Sequence, residues 1–217
     1  MAHSAVNGRA LPTFFFLVCI LPTIFGLYRI FLILTEGPIL PSHLPDQVDN
    51  LPLLLHSIGG IGFLVLGALQ ILPGFRTSNL ARHRSLGRIT ASLGILAGVS
   101  GVWMTLLHPG ISGPILMNGR LAAGTAWVFF ILISIRFVVQ RNISRHKNWM
   151  LRAYAIALPA GTLAFIMLPI VIIFGEEGNE IFFEVVQVAA WPLHLLVAEW
   201  IIRKPRRAPK IIALPAE

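Results

Sequence analysis

The chain has 217 residues, of which 56% are apolar and 12% charged. A soluble domain carries roughly twice that charge, about 25%, and several apolar runs here reach the roughly 20 residues that cross ~30 Å of hydrocarbon. Composition therefore excludes a soluble globular domain and points to an integral membrane protein. The formal net charge of +8 would suggest a nucleic-acid partner in a soluble chain. In a membrane chain the positive-inside effect accounts for it, and nothing else supports nucleic-acid binding.

Six spans are predicted, at about 14–34, 51–73, 86–107, 121–139, 150–174 and 181–202. The first is too long for a cleavable signal and carries Tyr28-Arg29 where small residues belong. The single cysteine, Cys19, lies in an apolar run and excludes a disulfide framework. The absence of CxxCH argues against covalent haem attachment. Short connections leave room for one domain only. The expected fold is an all-α bundle of six transmembrane helices over residues 1–217, with spans two to five as its core.

Charge sets the expected orientation. Arg9 stands before span one, and Arg76, Arg82, Arg84 and Arg88 occupy the second connection. Arg136, Arg141, Arg145, Lys147 and Arg152 surround the fourth, and Arg203, Lys204, Arg206, Arg207 and Lys210 the tail. The other connections hold Glu36, Asp46, Asp49, Glu176, Glu177, Glu180 and Glu184, with Arg120 and Arg29 as their only cations. This alternation places both termini in the cytoplasm. The basic tail is suited to anionic lipid head groups as well as to setting topology.

Small residues (Gly87, Ala91, Gly94, Gly98 and Gly101 in span three, and Ala153, Ala157, Gly161 and Ala164 in span five) predict close helix packing. Kinks are expected at Pro159, Pro169 and Pro192.

Ionisable side chains at membrane depth are functional candidates. His56 shares a helical face with Gly60, Phe63, Gly67 and Gln70, so the glycines leave a flat slot beside an imidazole. A b-type haem needs that combination; the plainer alternative is a hydrogen-bonded structural histidine. Gln70, where a second ligand would stand, is a poor iron ligand. His83 and His108 bracket span three and lie ~38 Å apart along a helix, so they cannot share an iron. His83 is expected to pair with His146 on the cytoplasmic side and His108 with His56 on the outer side, giving two stacked haem sites. Arg84, Arg88 and Arg152 would hold propionates. The plainer alternatives are topology residues for the basic clusters and a helix stop for His108, which precedes Pro109-Gly110. His194, with Gln187 and Trp191 on its face and Glu199 nearby, suits a quinone site or proton relay. Glu199 is expected in an ion pair with Arg203 or a collar arginine, and Arg29 needs an acid such as Asp46, Asp49 or Glu176, or an anionic ligand. Nucleotide-binding, zinc-protease and serine-hydrolase motifs are absent.

These residues resemble a family. His56-x3-Gly60 with Leu69-Gln70-x2-Pro73-x2-Arg76, His83-Arg84-x2-Gly87-Arg88, His146-x2-Trp149-Met150-x-Arg152-x-Tyr154-Ala155, and Trp191-Pro192-x-His194-Leu195-x2-Ala198-Glu199 are similar to motifs of predicted bacterial membrane proteins, domain of unknown function 2306. The chain departs from the pattern at His194, where asparagine is expected, and at Ala164, where an arginine commonly follows the leucine. The resemblance implies a helical, histidine-bearing inner-membrane protein and assigns no reaction. By arrangement alone, the layout is also similar to two-haem cytochromes b on a four-helix core.

The leading expectation is transmembrane electron transfer or quinone-linked redox chemistry. Haem b would be held by His56, His83 and His146, with His108 and His194 behind them. The alternative is a non-catalytic accessory subunit that packs on a larger membrane complex and binds lipid. A solute transporter is disfavoured by the lack of inverted repeats and paired buried charges.

Overall fold

The computed structural model describes residues 3–35, 50–72, 74–75, 79–109, 112–175 and 180–204, without the side chains of residues 3–15 and Phe174. Arg76, the acids Glu36, Asp46, Asp49, Glu176 and Glu177, and the tail beyond Lys204 lie outside the described residues. The helices are α1 (His3–Leu34), α2 (Asn50–Ile71), α3 (Leu80–Leu107), α4 (Pro114–Val139), α5 (Ile143–Ala157), α6 (Pro159–Phe174) and α7 (Glu180–Arg203). No strand occurs among the described residues. Six helical stretches are long and apolar enough to cross a membrane, with α5 and α6 forming one of them, Ile143–Ile173. The protein is a multi-pass, all-helical membrane protein.

Helices α3, α4 and α5 begin well before the apolar runs that predict them, and in α3 and α5 the polar starts are themselves capped. The Asn79 side chain accepts from the Arg82 N–H at 2.9 Å, and Asn142 accepts from the Arg145 N–H at 3.1 Å. Each asparagine stands four residues before a collar histidine, His83 or His146, so the two basic helix starts share one capping design. Pro114 opens α4, where its missing N–H costs nothing.

Hydrophobic burial concentrates on α2 to α5. Phe63, Leu64, Ala97, Trp127, Ile131 and Tyr154 form the centre, and α1 adds Val18 and Cys19. The small-residue stripe of α3 faces inward: a Cβ at Gly94 would strike Phe63 and Ile131, and one at Gly98 would strike Val128. Leu27, Phe31, Val139, Ile172, Ile181 and Leu196 stand exposed, a surface stable only in hydrocarbon.

Proline breaks the helical path at one of the three expected places. Pro159 separates α5 from α6, while Pro169 and Pro192 lie inside α6 and α7. The break redirects the chain. α5 packs on α4 and α7, whereas α6 packs on α1 and α7 and makes no extended contact with α4. Gly161 permits the new course, because a side chain there would strike the Val18 backbone.

Candidate functional site

One end of the bundle carries Arg82, Arg84, Arg88, Arg141, Arg145, Lys147 and Arg203 (the basic end); the other carries Glu180 and Glu184 (the acidic end). The candidate site lies in the acidic half. His56 is the seventh residue of α2 and Arg120 the seventh of α4, and the two helices run in the same direction. Each residue is therefore ~9 Å along its helix from the acidic end.

The His56 Nδ1 atom is 2.8 Å from the Ala97 carbonyl of α3. A carbonyl only accepts, so Nδ1 carries the proton and a neutral ring keeps its lone pair on Nε2. A backbone carbonyl on the second nitrogen is the arrangement that orients ligating histidines. Gly101 makes room for the ring: a Cβ there would sit 3.0 Å from His56 Nδ1. One turn from His56, a Cβ on Gly60 would meet nothing within 4 Å. The expected slot is thus open at Gly60. It is closed at Gly67, where the Tyr154 ring fills the space.

Arg120 is partly buried, and its charge acts on His56 and on Glu184. It makes no hydrogen bond or ion pair among the described residues. Glu184 instead caps α4 from α7, accepting from the Leu116 N–H at 3.4 Å. Gly113, the N-cap of α4, leaves room for that carboxylate. Two turns inward from Arg120, Trp127 stands edge-on to Phe63 with ring centroids 5.2 Å apart. It is 7% exposed, and its Nε1–H has no partner among the described residues. His108 caps the C-terminus of α3 seven residues beyond Gly101, and its buried Nε2 also lacks a partner.

The basic end places the other candidates separately. His146 Nδ1 lies 2.8 Å from Ser134 Oγ and 3.1 Å from Ser134 O, and the hydroxyl donates to the His146 carbonyl at 3.0 Å. His83 stands at the same end on α3. Helices α3 and α5 are diagonal to one another, with α4 packed against both. Beside this level, both polar atoms of the Gln70 amide are buried without partners among the described residues. Arg84 and Arg88 are exposed. Arg152 is engaged by Glu199 at 2.5 Å and lies over the Trp149 ring, while Arg203 approaches the other Glu199 oxygen at 3.6 Å. Both expected partners of Glu199 are therefore used. His194 has hydrogen bonds at both nitrogens, with Nδ1 2.7 Å from the Ala190 carbonyl and Nε2 3.1 Å from Thr162 Oγ1.

Arg120, Trp127 and Glu184 enter the site without having been singled out from the sequence, although Arg120 stood out as a cation among acidic connections. Among the described residues, no three His, Cys, Asp or Glu side chains gather as a metal-ion site. A haem iron takes only one or two protein ligands, so its needs differ.

No curated protein and no solved structure matches the chain. The likeness of layout to two-haem cytochromes b thus remains an analogy. One family does match, over residues 53–202, a stretch that includes His56, both basic helix starts, the Pro159 break and Glu199. The chain belongs to that family, the predicted membrane proteins designated DUF2306.

Proposed function

We propose that this is an electron-transfer protein of the bacterial inner membrane. It would hold a b-type haem in the acidic half of the bundle, with His56 as an iron ligand. The observation that carries this reading is the Nδ1 contact of His56 with the Ala97 carbonyl at 2.8 Å, beside the open space at Gly60. The contact fixes the ring and leaves Nε2 as the donor atom, and the missing side chain leaves room for a macrocycle edge. Arg120, a cation at the same depth with no hydrogen-bonding partner among the described residues, suits a propionate. The unpartnered Trp127 N–H offers a further donor to a polar edge. Bound there, haem supplies one-electron chemistry.

The basic end supports a second site less directly. The bonding of His146 to Ser134 again leaves Nε2 as the acceptor, and His83 stands diagonally across at the same level. An accessory subunit would turn its small-residue stripes outward to a partner, whereas Gly94 and Gly98 of α3 are packed against α2 and α4.

A reduced-minus-oxidised visible spectrum of protein purified from haem-replete cells tests the reading. Sharp α and Soret bands are expected, weakened in His56→Ala and His146→Ala and unchanged in His194→Ala. A featureless spectrum from folded protein would sink it.

A further inference from the structure

The break at Pro159 has a second effect on the acidic half. Because α6 leans away from α4, a groove of about 410 Å³ opens between α6 and α7. That size falls within the ~300–1,000 Å³ usual for small-molecule sites. Its α6 wall is Ala160, Leu163, Ala164, Met167 and Val171, one helical stripe in which the two alanines make the room. Its α7 wall is Glu180, Phe183 and Gln187.

We propose that this groove binds a lipid-soluble quinone, or its quinol, with the head ring between Met167 and Phe183 and the ring oxygen on the Gln187 amide. Depth and charge select this occupant. Gln187 lies seven residues past Glu180, ~10 Å along α7 from the acidic end. A charged phospholipid head stays at the membrane surface, because burying an ion in hydrocarbon is costly. A quinone head is uncharged and can enter. Among the described residues the lining contains no cation to hold a phosphate, and Glu180 is an acid at the mouth. Gln187 makes no hydrogen bond among the described residues, so its amide is available both to donate and to accept. Phe183 offers a ring face or edge, and the Met167 thioether is a favourable contact for an aromatic ring. Glu184, one turn from Gln187, is the carboxylate that caps α4 at Leu116.

The proposal extends the electron-transfer reading by naming a redox partner, yet it is read out by binding alone. The test titrates the purified full-length protein in detergent with a decyl-substituted benzoquinone and follows quenching of tryptophan fluorescence. Saturable quenching is expected for the wild type and for protein prepared without haem, so failure of the haem reading leaves this one standing. Gln187→Leu should weaken binding about tenfold, an exchange of one hydrogen bond near 1.4 kcal/mol. Ala164→Phe, which fills the groove, should abolish it. Exposed Ile172→Phe should leave it unchanged. Added phosphatidylglycerol should not displace the quinone. Absence of saturable binding, wild-type affinity in folded Gln187→Leu, or displacement by phosphatidylglycerol would overturn the proposal. Should Ala164→Phe fail to fold, Gln187→Leu alone decides it.

Discussion

Arg152 and Glu199 stand 47 residues apart in sequence, with Nε and Oε1 only 2.5 Å apart in space. The side chains are 20% and 28% exposed, so most of each charge is withdrawn from solvent. The pair ties α5 to α7 at the basic end. Trp149 stacks under the guanidinium 4.6 Å away, and Arg203 shares the carboxylate. Arg152→Ala should therefore destabilise the protein by about 1.5–3 kcal/mol, the range for a hydrogen bond to a charged group. Glu199→Gln should cost less, since the amide oxygen still accepts from Nε. Thermal unfolding in detergent of Arg152→Ala, Glu199→Ala and the double variant gives the coupling. A coupling within ~0.3 kcal/mol of zero would show that the pair does not join the helices.

Neighbouring glycines on α2 should behave in opposite ways. A Cβ at Gly59 would lie 2.7 Å from the Leu93 carbonyl and 2.8 Å from the Ala97 nitrogen, backbone atoms that cannot step aside. Gly59→Ala should lower stability by more than about 2 kcal/mol, at the upper end of the usual cost of overpacking. Gly60→Ala meets nothing and gains up to ~1 kcal/mol of helix propensity. If the slot beside His56 holds haem, Gly60→Ala should nevertheless lower haem occupancy. Paired melting curves and absorbance spectra measure both effects.

Tyr154 donates to the Leu64 carbonyl at 2.8 Å in the middle of the bundle, with Cys19 Sγ 3.6 Å from its hydroxyl. Its ring also packs near Phe63 at a centroid distance of 5.8 Å. Tyr154→Phe keeps the ring contact and removes the donor, so the expected loss is about 1 kcal/mol. Tyr154→Ala also empties the volume and should cost ~3–5 kcal/mol. Equal melting temperatures for the phenylalanine variant and the wild type would show the hydroxyl to be dispensable.

The two asparagine caps should act independently. Asn79→Ala and Asn142→Ala each remove one side-chain acceptor from a helix start and should cost about 1 kcal/mol. The double variant should show the sum, since the caps belong to different helices. Asn→Ser at either position should restore much of the loss, and scanning fluorimetry of the set is sufficient to check it.

Gly175 ends α6 with φ 71° and ψ 176°, a conformation open essentially only to glycine. Gly175→Ala should therefore cost about 1–3 kcal/mol although a Cβ there meets no neighbour. Unchanged stability would mean that the chain can leave α6 by another backbone path.

Much of this protein is readable without coordinates, because hydrocarbon thickness imposes a length on every span and charge is confined to the ends. The six spans, the all-helical class, the core of spans two to five and the ion pairing of Glu199 followed from that constraint and from the family motifs. Helix starts were placed late, since hydropathy reports the apolar part of a helix and misses a capped polar first turn such as Asn79–Arg88. Proline content marked three candidate bends but not which would redirect the chain. That depended on Gly161 and Val18, 143 residues apart, fitting together where no side chain intervenes. Depth depends on where a helix begins, so only the start of α4 at Pro114, well before the predicted span, put Arg120 at the level of His56. Facing is a property of packing. Only the tertiary structure bonded both nitrogens of His194, committed Arg152 to Glu199, gave Tyr154 the space at Gly67, and left the space at Gly60 open beside His56.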